Sequence, residues 1–280
     1  MGIGGAIMKT ADLAVLFITL NEESHIGMAI DNVMDIASEI WVVDSGSTDR
    51  TVEIASTKGA KVVYHKFENF GAQWNFALSL SIKSAWTMKM DPDERLSVNL
   101  KTAIRNALLM DTDNVGFEFD RILWFMGRPM RGWRDRVVRI WKTGKCRFTD
   151  VAVNEHPLVD GRVGFLKGTM DHLDSKDLNH WIDKQNKYTT QGALARMAHS
   201  EFSVNPKLLG SRLERRMWIK RLFFQLPFRY ALMFIHLYLT KGLWREGRTG
   251  YHCALLRIWA RRLVEEKVLE LRNLRDRNNV

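Results

Sequence analysis

Four apolar runs of strand length occupy the N-terminal third of the chain, each separated from the next by a stretch of helical period and each ending at polar side chains. Leu13-Ala14-Val15-Leu16-Phe17-Ile18-Thr19-Leu20 is apolar almost throughout, as in a strand buried on both faces, and stops at Asn21-Glu22-Glu23. A helical stretch from about Ser24 to Asp35 leads to Ile40-Trp41-Val42-Val43, which ends in Asp44-Ser45-Gly46-Ser47-Thr48-Asp49. Asp49 is placed to cap the next helix. Ala60-Lys61-Val62-Val63-Tyr64 is the third strand, a helix follows over about 72–81, and a fourth run from Trp86 to Met90 breaks off at Asp91-Pro92-Asp93-Glu94. This alternation predicts an α/β fold with a mostly parallel, doubly wound sheet, whose ligands bind outside the carboxyl ends of the strands. Asn21, Asp44 and Asp91 all fall at that edge.

Beyond a helix opened by Ser97 and running to Leu109, the pattern becomes β-rich: Val115 to Phe119, Arg128 to Met130, Arg136 to Trp141 and Gly161 to Leu166. A long helical segment then runs from Asp177 to His199 and carries Lys184, Lys187 and Tyr188. No repeat or low-complexity linker divides these parts. The expected organisation is a flexible leader over 1–11, one catalytic domain over 12–204 and a helical tail over 205–280.

Charge sharpens that division. The net charge is +10, yet residues from 205 onward hold 17 Lys/Arg against six Asp/Glu, a balance of +11, leaving 25 against 26 before them. A basic tail suits an anionic partner, either a membrane surface or a nucleic acid. Between Arg212 and Leu239 it mixes Arg215, Arg216, Lys220 and Arg221 with Trp218, Phe223, Phe224 and Phe228. The apolar run Leu226 to Leu239 falls short of the ~20 residues needed to span a bilayer and carries Arg229 and His236. Its apolar positions scatter around a helical projection, so its composition rather than its pattern is that of an interfacial segment. The competing expectation is a helical element packed on the catalytic domain or on a second copy. Cys146 and Cys253 form no ligand pattern, which fits a reducing compartment without structural zinc, and the first residues lack the basic region and long apolar run of a secretory signal.

The chemistry lies at the strand ends. Asp91 and Asp93, at i and i+2 in an extended segment, can point to one side, and hard oxygen ligands suit a divalent cation that leaves positions open for phosphate oxygens. A lone DxD reads equally as a turn before a helix. Asp44 can accept from the imide N–H of a uracil-like base, with the Gly46 turn letting backbone approach the ligand, though alone this too is an ordinary turn. Thr19-Leu20-Asn21-Glu22, the Asp44–Asp49 segment, Gln73-Trp74-Asn75 and Asp91-Pro92-Asp93-Glu94, in this order and spacing, resemble family 2 glycosyltransferases of the GT-A fold. That resemblance covers roughly residues 12–190.

The resemblance implies that Asn21 and Glu22 line the nucleotide pocket, with Asp44 and Ser45 at the base and Gln73 and Asn75 along the nucleotide-sugar cleft. It implies further that Asp91 meets ribose or sugar and Asp93 a divalent metal, manganese or magnesium. Two positions depart from the family: Pro92 stands where a small residue is usual, and Trp74 where a basic residue is frequent, so one phosphate contact is missing or comes from elsewhere. Val153-Asn154-Glu155-His156 and Asp171-His172 resemble elements of the subgroup that builds lipopolysaccharide core and capsule. By that likeness Glu155 is the catalytic base and His172 a metal ligand or phosphate contact. Asp135 is the rival base, although Arg134 and Arg136 beside it would hold its pKa down. Arg136, Arg139, Lys184 and Tyr188 are available for the diphosphate.

The resulting expectation is an inverting hexosyltransferase. It would take a UDP-sugar, glucose foremost, and a glycan or lipid-linked acceptor, and sit at the cytoplasmic face of the inner membrane as a peripheral protein, with self-association open. A nucleic-acid-binding protein with a basic aromatic arm is the rival from another class. Carboxylates at three strand ends repel a polyphosphate backbone unless a cation bridges them, so no nucleic acid is expected. A nucleotidyltransferase also uses paired aspartates, but no Gly-rich basic loop follows the first strand.

Overall fold

The computed structural model describes residues 12–149, 155–175, 177–198 and 205–278. The expected leader and the Val153-Asn154 part of the Glu155 motif lie outside the described residues. Ten strands and eight α-helices follow in the order β1 Leu13–Thr19, α1 Ile26–Val33, β2 Glu39–Asp44, α2 Thr51–Thr57, β3 Lys61–Tyr64, α3 Phe70–Leu78, β4 Trp86–Lys89, β5 Glu94–Leu96, α4 Val98–Leu109, β6 Gly116–Phe125, β7 Arg128–Lys142, β8 Cys146–Phe148, β9 Pro157–Val159, β10 Val163–His172, α5 Leu178–Met197, α6 Arg212–Gln225, α7 Arg229–Ile235 and α8 Gly247–Asn278. A π-helical turn, His236–Thr240, and a 3₁₀ turn, Leu243–Glu246, link the last two helices.

Eight strands form one sheet in the order β3-β2-β1-β4-β7-β6-β10-β5. β1 pairs in parallel with β2 and β4, β2 with β3, and β10 with β6, while the β4–β7, β6–β7 and β10–β5 pairs are antiparallel. The mostly parallel, doubly wound expectation therefore holds. β1 is central, which is why it is apolar on both faces. Its Leu13, Val15 and Phe17 pack with Ile26, Ile30 and Val33 of α1 and Leu100 and Ile104 of α4, whereas Leu16 packs on the opposite face with Trp74 and Ala77 of α3, Trp141 and Phe148. All of these are 0–4 % exposed, so each large apolar side chain contributes about 1.5–3 kcal/mol relative to exposure.

Ser97 caps α4 as expected, its hydroxyl accepting from Leu100 N. Asp49 does not cap α2 as its N-cap residue; Arg50 holds that position, and the Asp49 carboxylate instead accepts from the backbone and hydroxyl of Thr51, one residue further in. The segments expected at 128–130 and 136–141 form one fifteen-residue strand, because charged residues between them pair across to β6 instead of breaking the ladder.

A second core joins the tail to the β6–β7 hairpin. Leu123, Phe125, Met130 and Trp133 of the hairpin and Trp181 of α5 close over Leu237, Leu243, Cys253, Ala254 and Ala260. The junction is tight: a Cβ added at Gly132 would lie 2.4 Å from the Gly242 carbonyl oxygen, and Glu246 accepts from Gly132 N at 2.8 Å. No helix among the described residues is long and apolar enough to cross a membrane.

Candidate active site

The carboxyl ends of β1 and β2 meet in a closed loop. Asp44 is 3 % exposed, and both its oxygens are engaged. One accepts from the hydroxyls of Thr19 (2.9 Å) and Ser47 (2.5 Å), the other from the backbone N–H groups of Gly46 and Ser47 (2.8 Å each). Gly46 takes φ +98°, a conformation that a side chain would strain. Asn21, at φ 57°, accepts from Thr48 N at 2.8 Å and donates its own N–H to Ser47 Oγ at 2.8 Å. Glu22 donates its N–H to Thr51 Oγ1 and keeps its carboxylate 3.0 Å from His25 Nδ1. Ser45 accepts from Gln73 Nε2 at 3.0 Å; Gln73 is wholly buried and bonds His65 Nδ1 at 2.7 Å. Asn75 forms a two-way amide pair with the backbone of Phe148, at 2.8 and 3.1 Å, and so ties α3 to β8. Six of the expected donor-binding residues are thus brought together at this edge, with Asp44, Gln73 and Asn75 building the walls.

The acidic segment departs from the extended geometry expected of it. β4 ends at Lys89, and Pro92 and Asp93 form a turn closed by Glu94 N donating to Asp91 O at 3.0 Å, so the aspartates diverge to different partners. Asp91 accepts from Arg139 at 3.1 Å. Glu94, fully buried, accepts from Asp91 N at 3.0 Å and forms a short ion pair with the same guanidinium. Arg139 reaches them because the β6–β7 register slips between the Phe117–Ile140 and Glu118–Val138 pairs, leaving Arg139 as the extra residue of a bulge, a device that re-aims a side chain. Burial pushes the Glu94 carboxyl above the usual range, and Arg139 does not overcome it. At Asp91 burial also opposes ionisation, but Lys89 and Arg139 outweigh it and hold the group low.

Asp93 joins His172 and Asp174, each offering one ligand atom, all within 4.8 Å of one another. β10 pairs His172 with Glu94 of β5, and Leu173 N donates to Asp93 O at 2.8 Å, which fixes the two segments side by side. Asp177 caps α5, and two turns along that helix Lys184 reaches Asp174 at 2.8 Å and Asp93 at 3.6 Å. His172 Nε2 stands 3.3 Å from Asp93. Despite its burial, Asp93 is held far below the ordinary carboxylate range by His172 and Lys184, and the Asp93 carboxylate raises His172 against the opposing effect of burial. One turn beyond Lys184, burial raises the Tyr188 hydroxyl.

Asp93 Oδ1 and His172 Nδ1 are buried with no hydrogen-bond partner. Two carboxylates and an imidazole with an orphaned carboxylate oxygen fit a manganese or magnesium ion.

Glu155 approaches from the β8–β9 side. Its carboxylate accepts from Lys89 Nζ at 2.7 Å, and that ammonium also lies 4.4 Å over the Trp74 ring and 5.2 Å from that of Phe148. Both partners are nearly buried, at 7 % and 13 % exposure. Arg139 lies in the combined field of Glu94, Asp91 and Glu155, which ties Glu155 to the acidic turn. Asp135 lies on β7, accepting from the Trp133 indole at 2.8 Å and facing Lys241 at 3.7 Å and, at 3.8 Å, Arg121, whose guanidinium also reaches Glu94. Arg134 and Arg136 are not its partners, contrary to expectation, because consecutive strand residues face opposite sides. They reach Asp120 and Glu118, and Arg136 stacks on Phe165. Arg136 is therefore turned away from the face that Asp135 occupies.

Sequence reading passed over three residues of this site. Lys89 had a signal, a single charge inside a buried apolar strand. Asp174 lies two residues past His172. Arg121 gave none, since only the strand pairing brings it 3.7 Å from Glu94.

The profile of the family described as Glycosyl transferase family 2 matches residues 14–165. Among sequence relatives, the lipopolysaccharide core biosynthesis glycosyltransferase LpsC of Rhizobium meliloti is 27% identical over 278 residues, spanning 96% of each chain. An uncharacterized glycosyltransferase of Rickettsia typhi is 27% identical over 195 residues, 65% of this chain and 66% of its own. Among solved structures, glucosyl-3-phosphoglycerate synthase of Mycobacterium tuberculosis, in complex with Mn²⁺, UDP and glucosyl-3-phosphoglycerate, overlays with a TM-score of 0.34 at 22% identity over 40% of this chain and 44% of its own. The motifs at the ends of β1, β2 and β4 all lie within the matched profile, and the chain belongs to glycosyl transferase family 2.

Proposed function

We propose that the protein is an inverting, metal-dependent hexosyltransferase that uses a UDP-sugar and acts in the assembly of lipopolysaccharide core or a related envelope glycan. The observation that carries the reading is the Asp93–His172–Asp174 cluster, with its orphaned Asp93 oxygen, beside the Asp91–Arg139–Glu94 network and the Glu155–Lys89 pair. The near full-length match to a lipopolysaccharide core glycosyltransferase supports the pathway. The division into a catalytic domain over 12–204 and a basic tail over 205–280 is carried forward in the same reading, with the tail's inner face part of the catalytic unit's core.

Asp93, His172 and Asp174 would hold the cation, which when bound neutralises the diphosphate of the donor. The chain's own residues do the rest. The loop closed by Asp44, Asn21 and Ser47 presents backbone for the nucleoside, with Glu22, Ser45, Gln73 and Asn75 shaping its wall. Glu155 takes the proton of an acceptor hydroxyl, whose oxygen forms the new bond to the anomeric carbon as the bond to the diphosphate breaks; UDP leaves with the electron pair. Arg139, Lys184 and Tyr188 are placed to meet the departing charge. Lys89 supplies a cation directly over Trp74, the position where the family's basic residue was missed.

The tail would hold this site at an anionic membrane surface inside the cell. Leu209 and Phe228 are 97% and 85% exposed, and basic residues of the tail flank them in the sequence. The test is calorimetry with UDP-, GDP- and dTDP-sugars in the presence of Mn²⁺ or Mg²⁺. Selective, metal-dependent binding of a UDP-hexose is the expected result, and equal binding in EDTA would overturn the reading.

A further inference from the structure

The run from Leu226 to Leu239 is apolar around its whole circumference because it has two sides to cover. Met233, Phe234, Leu237 and Tyr238 turn inward onto the core shared with the β6–β7 hairpin. Leu232 and Ile235, about one turn apart on α7, stay outside that core, as do Phe228 at the start of the helix and Leu239 in the π-helical turn after it. These four are 48–85 % exposed, so the element keeps an apolar stripe on its solvent side as well. A helix of that kind on a protein surface marks contact with a second apolar phase.

A cavity of about 210 Å³ lies at the head of this stripe, lined by Arg196 in the last turn of α5, Arg229 at the start of α7, and Glu265, Val268, Leu269 and Arg272 of α8. Arg229 directly follows Phe228 in the chain. The four α8 residues stand at i, i+3, i+4 and i+7 and share one face of that helix. Three guanidinium groups there meet one carboxylate: Glu265 pairs with Arg229 at 2.6 Å and with Arg196 at 3.6 Å. Among the described residues no carboxylate pairs with Arg272, and the lining keeps an excess of two positive charges, three against one. Buried Val268 and half-exposed Leu269 supply an apolar wall. Guanidinium forks match phosphate oxygens, and such a wall suits the glycerol and first acyl carbons that adjoin the phosphate of a phospholipid. A second copy docking by the same face is disfavoured, because between residues 226 and 262 seven Lys/Arg stand against Glu246 alone, and Glu246 accepts from Gly132 N.

We propose that the cavity between α5, α7 and α8 binds the phosphate headgroup of one anionic phospholipid, with the outward stripe of α7 seated in the adjoining acyl layer. This rests on the reading of the tail as the element that holds the protein at a membrane, and adds to it a defined lipid position in place of diffuse attraction. Lys241, two residues past Leu239, lies 3.7 Å from Asp135, so the same contact brings that end of the cleft toward the lipid surface.

The experiment mixes full-length protein with phosphatidylcholine vesicles, with and without phosphatidylglycerol, and follows binding by flotation. Arg196→Gln/Arg272→Gln should weaken binding to the phosphatidylglycerol vesicles at least about tenfold, as expected for hydrogen bonds lost to a charged group. Arg245→Gln/Arg248→Gln removes the same charge from exposed positions outside the cavity and should weaken it by less. Leu232→Ser/Ile235→Ser should also weaken vesicle binding, yet leave unchanged the saturable binding of glycerol phosphate measured by calorimetry. Thermal unfolding checks that each variant keeps its fold. Equal losses in the two arginine pairs would overturn the headgroup site while leaving the tail at the membrane, because charge alone would then carry binding. A wild type that takes up glycerol phosphate through Arg196 and Arg272 but floats with neither vesicle would sink the membrane reading and make the cavity a site for soluble phosphate. A wild-type dimer in sedimentation that Leu232→Ser/Ile235→Ser dissociates would overturn the proposal by assigning the stripe to a second copy.

Discussion

Replacing Lys89 by Met removes one charge from a buried pair while keeping most of the side-chain volume against Trp74 and Phe148. The Lys89–Glu155 contact is 2.7 Å long with its partners 7 % and 13 % exposed, so Glu155 would be left as an uncompensated buried carboxylate. Breaking such a pair from one side typically costs about 3–5 kcal/mol, and lost cation–π contact adds about 1 kcal/mol. The residual exposure of Glu155 favours the lower end, about 4 kcal/mol in total. Unfolding entropy near 2.1 cal/mol/K per residue gives about 0.6 kcal/mol/K for a chain of 280 residues, so the melting temperature should fall by about 7 °C. Scanning calorimetry of Lys89→Met, Glu155→Gln and the double variant measures this. The double variant carries no unpaired charge, so it should recover at least half of the loss seen in Lys89→Met. If the double variant instead loses the sum of the two single effects within about 0.5 kcal/mol, the residues are not coupled and the pair does not hold Glu155 in place.

Asp93→Asn should abolish Mn²⁺-dependent UDP binding while leaving the circular dichroism spectrum unchanged, since the residue sits in a turn at the sheet edge and not in its core. Glu155→Gln should lower kcat by ~10²–10⁴ with donor affinity nearly constant; if Asp135→Asn does so instead, the base is Asp135. Leu209→Ser/Phe228→Ser should reduce flotation with anionic liposomes at low salt, and flotation insensitive to the substitutions, lipid charge and salt would show that the tail does not bind membrane through this surface. Glu39, bonded to Lys61, Lys83 and Ser84, has its carboxyl lowered from 4.5 to about 2 against the opposing effect of burial. A depressed folded pKa means its contribution is present above pH 4.5 and lost as pH falls toward 2, so the melting difference between wild type and Glu39→Gln should shrink across that window. A difference that is constant from pH 6 to about 2 would refute it.

The first four strands were legible because a central parallel strand must be apolar on both faces, and Leu13–Thr19 can hardly be read otherwise. β5, β8 and β9 were not, since each has only three residues and is held by partners distant in sequence, such as Asn75 across to Phe148. The tail resisted a helical projection for a physical reason: the run from Leu226 to Leu239 contains a left-handed Phe228, a short helix and a π-helical turn, so no single 100° period applies. In the site, the polar residues at strand ends were visible as a set. Their partners were not, because the Arg139 bulge and the Arg121–Glu94 contact arise only from strand pairing.

The shared core of hairpin and tail also sets when the site can be finished during synthesis. Phe125, Met130 and Trp133 are made early, yet their covering residues run to Ala260, and Gly132 waits for Gly242 and Glu246. At roughly 5–20 residues per second, the β6–β7 hairpin stays uncovered for several seconds while the intervening chain is translated. Arg139 and Asp135 ride on that hairpin, so a nascent chain still lacking α8 would hold a nearly complete nucleotide loop and an unfinished acceptor side. Sugar transfer would thus begin only after the C-terminal helix has docked, and a chain stalled before it would bind donor without spending it.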